Sequence, residues 1–158
     1  MTLDLLQDPG TNDAQKSSIL AELAAKNGWY IKLDQNSGEK VLSSPVVFYK
    51  IVYYSTFAPS FAQEPDPCFI GQGKGRLYIL QYMTGNAAFN LDITNDIGGE
   101  VVSRSDRTGV IGSAMPSGVI ITFIRGTSVA YVGVGGGVYS PRLPSVKSVV
   151  PINWRLVF

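Results

Sequence analysis

Histidine is absent from this chain of 158 residues, and cysteine occurs once, as Cys68. Without histidine, the commonest general base and the usual middle member of a catalytic triad are missing. A zinc centre or haem attachment of the usual kind lacks its ligands, and no disulfide can close within the chain. Charge is scarce as well: Lys, Arg, Asp and Glu make up 16% of the residues, and the formal net charge is +1. That balance gives no footprint for nucleic acid or anionic lipid; the nearest basic pair is Lys74 with Arg76. No apolar run approaches the ~20 residues that cross a bilayer. The opening Met1-Thr-Leu-Asp-Leu-Leu-Gln-Asp-Pro-Gly has neither the basic nor the long apolar region of a signal peptide.

What remains is β-forming. Hydrophobic residues reach 45%, with Tyr, Phe, Val and Gly prominent, which fits a β-rich protein and argues against disorder. The most informative stretch runs from Val119 to Val138. Two runs of β-branched and aromatic residues there flank Arg125-Gly126-Thr127-Ser128, as a β-hairpin requires. Pro45-Val-Val-Phe-Tyr, a break near Lys50, and Ile51-Val-Tyr-Tyr-Ser-Thr-Phe repeat the pattern. Two related hairpins roughly 70 residues apart predict a fold of repeated antiparallel sheets. The length suffices for one domain with a true core.

Along the chain, residues 1–12 read as a polar lead. A single helix is predicted over about Asp13 to Lys26, capped by Thr11, Asn12 or Asp13 and stopped by Asn27-Gly28. Ile19, Leu20, Leu23 and Ala24 form its apolar face, expected to lie on the outside of a sheet. Trp29 to Asp34 alternates like a half-buried strand, Gln35 to Gly38 turns, and Glu39 to Leu42 continues as strand. Further strands are expected within 45–57, at Arg76 to Tyr82, Ala87 to Leu91, near Val101-Val102, within 119–138 and at 150–158. A Pro-rich loop fills about 58–74, and Met83 to Asn86 makes a turn. Eight to ten strands and one helix make a mainly-β protein.

Several residues invite a chemical reading. Asp34, Asn36 and Glu39 gather oxygen donors in one turn, and Asp92, Asn95, Asp96 and Glu100 in another. Calcium takes six to eight oxygens at regular loop spacing; the first set has too few carboxylates and the second the wrong phase. Ordinary Asx turns account for both. Gly133-Val-Gly-Gly-Gly-Val138 precedes Tyr139-Ser140-Pro141 instead of a helix, so it is not a phosphate loop but a bend or close approach. Trp29, Tyr30, Tyr53, Tyr54, Tyr78, Tyr82, Tyr131 and Trp154 could line a ligand face, but packing between sheets is the favoured role.

An ordered series of motifs narrows the choice: Gly28-Trp-Tyr-Ile-Lys-Leu, Gly38-Glu-Lys-Val-Leu-Ser-Ser-Pro-Val-Val, Tyr53-Tyr-Ser-Thr-Phe-Ala-Pro, Asp66-Pro-Cys, and Gly75-Arg-Leu-Tyr-Ile-Leu-Gln-Tyr-Met-Thr-Gly. With Ile111-Gly-Ser-Ala-Met-Pro-Ser-Gly and the closing Ile152-Asn-Trp-Arg, the series resembles the C-terminal end of the PilY family of pilus-tip proteins, over about residues 28–158. The resemblance implies a type IV pilus assembly and tip adhesion factor whose C-terminal domain is a quinoprotein-like β-propeller. It also implies calcium, held in the family by an acidic D-x-D-x-N/D loop; no such loop stands in this sequence. The Arg-Gly-Asp motif of some members is missing too, since Arg104-Ser-Asp-Arg107 is not that motif.

A propeller blade of four strands takes ~40–50 residues, so this chain holds two to three blades at most. The expectation is therefore a polar lead and helix over 1–27, then a partial, quinoprotein-like β-propeller segment over 28–158 with antiparallel sheets. Its open edges would be completed by an upstream propeller segment or separate chain, with pairing between copies of itself as another route. The expected role is non-enzymatic: structure and adhesion in an exported pilus protein at the cell surface or in the periplasm, with minor pilins or pilin as partners. No cofactor is expected for this chain. Cys68 is either the donor of a disulfide to another chain or segment or a free loop thiol. The rival reading, a fragment of a quinone-dependent dehydrogenase, needs calcium ligands and a catalytic carboxylate at the ring axis.

Overall fold

The computed structural model describes residues 4–8, 10–59, 73–96 and 100–145. The Asp66-Pro-Cys68 loop and the 150–158 strand candidate, with Trp154, lie outside the described residues. Among the described residues there are eight strands and one α-helix: α1 Asp13–Ala24, β1 Lys40–Val41, β2 Val46–Phe48, β3 Ile51–Ala58, β4 Lys74–Gln81, β5 Thr108–Gly112, β6 Ile120–Ile124, β7 Thr127–Val134 and β8 Gly137–Tyr139. All strand pairs are antiparallel. They form two open sheets, not a closed ring.

In the first sheet β3 is central. β1 and β2 pair with it in turn along one side, β4 lies on the other, and β5 follows β4. The second sheet runs β6-β7-β8. Three tight turns set the registers. Phe48 faces Ile51, Ile124 faces Thr127 and Val134 faces Gly137, so each loop has two residues. In all three both loop residues take positive φ: Tyr49 and Lys50, Arg125 and Gly126, Gly135 and Gly136. This is the type I′ geometry whose twist matches that of the flanking strands. The turn of the second hairpin is thus shorter than the four residues predicted, because Thr127 already pairs. The glycine run at 133–137 resolves into the third turn.

The sheets meet face to face. Ile51, Tyr53, Leu77 and Ile79 of the first pack with Val119, Ala130 and Val132 of the second or its approach. Polar groups cross the same layer: Ser55 Oγ donates to Ser117 O at 2.7 Å, and Tyr53 Oη donates to Arg142 O at 3.3 Å. Gly112 marks a close approach between the two sheets. A Cβ there would stand 2.7 Å from Val134 Cγ2, so only hydrogen fits between β5 and β7.

Four expectations need correction. Trp29 to Asp34 keeps its alternation, with Trp29, Ile31 and Leu33 half-buried and Tyr30, Lys32 and Asp34 exposed, yet forms no ladder. β1 and β2 already cover that edge of β3. Ala87 to Leu91 makes only one bridge, Leu80 with Ala87, because Asp106 Oδ1 captures the Leu91 and Asp92 amides. Near Val101 there is no strand; its amide donates to Asp96 Oδ1. The pairing strand is instead Thr108–Gly112, inside the stretch read as an excursion. Lastly, α1 buries none of its residues. Asn12 caps it in a reciprocal box with Gln15, but its apolar edge overhangs the first sheet instead of packing onto it.

Candidate functional site

The three equal turns allow the two hairpins to be compared position by position. In β3 the first, third and fifth residues after the turn, Ile51, Tyr53 and Ser55, point into the layer between the sheets. In β7 it is the fourth and sixth, Ala130 and Val132. Side chains alternate strictly along a strand, so this is a change of face. Calling the side that carries the first residue after the turn the odd face, the first sheet buries its odd face against the even face of the second. The contact joins unlike surfaces. Each sheet therefore keeps its other face outward: the even face of the first sheet and the odd face of the second.

The outward odd face of the second sheet carries Ile120, Thr122 and Ile124 on β6, Val129 and Tyr131 on β7, and Val138 on β8, as the registers require. Ile120, Ile124 and Val138 are 64%, 48% and 71% exposed. They stand on the two edge strands of the sheet.

The outward even face of the first sheet divides into two parts. Towards the β2–β3 turn it is open. Val47, 56% exposed, pairs with Val52, and both border a groove of about 740 Å³. The same groove is lined by Leu20, Leu23 and Ala24 of α1 and by Trp29, Tyr82 and Met83. Trp29 is fixed there by its indole N–H, which donates to Tyr82 O at 2.9 Å. Lys26 is the charged residue of the lining.

Further along β3 and β4 the same face is covered and polar. Glu39, 6% exposed, turns inward and its Oε1 accepts from Thr56 Oγ1 at 2.6 Å and Tyr78 Oη at 2.9 Å. The Tyr78 ring stacks on Tyr54, its cross-strand neighbour, with centroids 4.8 Å apart. Burial, and then the Glu39 carboxylate, push both tyrosine hydroxyls above the ordinary range. Burial alone does so for Tyr53. A second buried carboxylate, Asp106, accepts from the amides of Leu91, Asp92 and Ser103 and from Ser103 Oγ, tying the two ends of the 91–106 segment to each other.

The sequence-derived candidates separate accordingly. Asp34 reaches outward to Arg104 at 3.6 Å while Glu39 points in, so the first oxygen-rich turn does not converge. Asp92 accepts from the Thr94 hydroxyl and, in an Asx turn, from its amide, which lowers the Asp92 pKa, and Asp96 takes Asn90 Nδ2 and the Val101 amide. Of the aromatics, Tyr53 lies between the sheets as expected, but Tyr54 and Tyr78 occupy the opposite face, and Tyr30 and Tyr82 are exposed. Sequence reasoning missed the Glu39–Thr56–Tyr78 triangle. The available signal was that Thr56 and Tyr78 sit in phase on neighbouring strands.

No family model, curated protein or solved structure matches this chain. Among the described residues, no helix is long and apolar enough to cross a membrane.

Proposed function

We propose that this chain is a non-enzymatic structural and adhesion component of a type IV pilus tip assembly, of the kind its motifs resemble. It would work by completing a β-propeller with an upstream segment or a partner chain. The observation that supports this reading is the odd-on-even contact. A unit that buries one face and offers the unlike face can accept a further unit on either side, and such head-to-tail stacking closes into a ring when the rotation permits. Two sheets facing each other through like faces would have finished the stack.

The apolar, exposed residues on both outward faces agree with it, since large uncovered apolar patches mark interaction sites. The buried carboxylates serve the fold: Glu39 and Asp106 are each held by several donors inside the domain. An exported location, at the cell surface or in the periplasm, belongs to the same proposal.

The test is binding of the intact chain to purified minor pilins and to upstream propeller modules, by interferometry and by gel filtration. Micromolar or tighter association, ~8 kcal/mol, is expected with at least one of them. Failure to bind any would refute the reading.

A further inference from the structure

Odd-on-even packing has a geometric corollary. The chain displays one open odd face, with Ile120, Ile124 and Val138, and one open stretch of even face, the groove floored by Val47 and Val52. These are the same two surface types that already meet inside the molecule. Position by position after the shared turn, Ile124 of the second hairpin corresponds to Phe48 of the first and Val129 to Tyr53. Phe48 and Tyr53 pack at the internal contact, so the exposed odd face repeats the buried one in kind.

We infer that the chain associates head to tail with copies of itself, the Ile120/Ile124/Val138 face of one copy seating on the Val47/Val52 groove of the next. Three features favour a second copy as occupant. The odd face is apolar and presents no carboxylate, and the groove is apolar with a single charged residue at its margin, Lys26. Lys26 is exposed, so its ammonium can stay in water while the two apolar surfaces meet. The groove also has a linear counterpart: Ile120 and Ile124 lie four residues apart on the same side of an edge strand, ~13 Å along it. Finally, the interface is heterologous, so a dimer still shows one free face of each kind, one on each copy, and growth does not stop there.

This rests on the reading that the outward faces are docking faces, but it names a different partner, and its experiment is separable. Light scattering coupled to gel filtration is run on the full chain, on Val138→Asp and on Val47→Asp, up to about 1 mM, the weak end of specific association. The wild type is expected to pass the mass of a dimer of 17.0 kDa chains as concentration rises. Each variant alone lacks one of the two faces on every copy and should stay monomeric. An equimolar mixture restores one good pair, the odd face of the Val47→Asp chain on the groove of the Val138→Asp chain. It should form dimers and stop there.

Leu20→Asp, on a helix that buries nothing, replaces Val47→Asp if that variant loses its circular dichroism signal. A wild type that remains monomeric overturns the inference, also when it still binds pilus partners. So does a variant that assembles alone, or a mixture that stays monomeric while the wild type assembles, the result a symmetric interface would give.

Discussion

Replacing Glu39 by alanine removes the acceptor of two buried hydroxyls at once. Thr56 is fully buried and Tyr78 2% exposed, so neither hydroxyl can turn to bulk water. Both bonds end on Glu39 Oε1, at 2.6 and 2.9 Å. A bond to a charged acceptor contributes about 1.5–3 kcal/mol, and a stranded buried donor costs about 1–3 kcal/mol. Two losses sharing one acceptor are not additive, which places Glu39→Ala near 3–5 kcal/mol of destabilisation, at the large end for a single substitution. Glu39→Gln keeps a carbonyl oxygen for both hydroxyls but loses the charge and puts an NH2 at the buried, partnerless Oε2 position, so about 2–3 kcal/mol, less than for alanine, is expected. The assay is urea unfolding followed by fluorescence, with midpoints compared at constant slope. Tyr78→Phe in the Glu39→Ala background should cost less than in the wild type, because its donor is already stranded. A Glu39→Ala chain within about 0.5 kcal/mol of wild type, the range of ordinary surface changes, would refute the reasoning. So would equal losses for alanine and glutamine.

The β2–β3 turn places Tyr49 and Lys50 at φ 46° and 65°, a region costing about 1 kcal/mol or more for residues with a Cβ. Tyr49→Asn with Lys50→Gly, the residues this turn favours, should stabilise the chain by about 1 kcal/mol in thermal or urea unfolding. Gly112→Ala puts a methyl 2.7 Å from Val134 Cγ2 and should destabilise by about 1–3 kcal/mol, with partial rescue by Val134→Ala. Alkaline pH supplies the fourth test. The hydroxyls of Tyr53, Tyr54 and Tyr78 hold their protons to higher pH folded than unfolded. Above the unfolded value of ~10 the unfolded chain ionises first, so stability is complete below that pH and falls as pH rises through the folded values. Urea midpoints should stay level to about pH 9 and then drop, less steeply in Tyr78→Phe.

The hairpins were legible because their signals are local. Runs of β-branched and aromatic residues such as Ile51 to Phe57, with a break near Lys50 and another at Arg125-Gly126, are enough to place both hairpins, though not the length of their turns. The helix start was legible for the same reason, since Asn12 and Gln15 form the reciprocal cap within four residues. What the sequence could not supply were choices made at a distance. Trp29 to Asp34 has a strand's alternation, but β1 and β2 reached the edge of β3 first. Thr108–Gly112 hides as a strand because Gly109 and Gly112 weaken its β signal, while Gly112 is required by Val134 of the other sheet. Glu39 read as one oxygen among several in a turn; only the pairing of Tyr54 with Tyr78 and Thr56 with Arg76 places it over a row of hydroxyls.

The change of face between the hairpins bears on how such a chain evolves as well as how it packs. If both hairpins buried the same face, the contact would be self-complementary, and adding a third unit would require a new surface. Burying unlike faces makes every unit both donor and acceptor, so one interface solution serves any number of repeats. The residues that break the equivalence are then the informative ones. Glu39, Thr56 and Tyr78 put a buried polar triangle on the outward face of the first sheet, where the corresponding face of the second sheet buries Ala130 and Val132. That triangle, with the loop carrying Glu39 across it, closes half of the first sheet's outer face to any neighbour and leaves only the stretch beside Val47 and Val52. A docking unit must therefore approach over the β2–β3 turn end, between α1 and the Tyr82–Met83 corner.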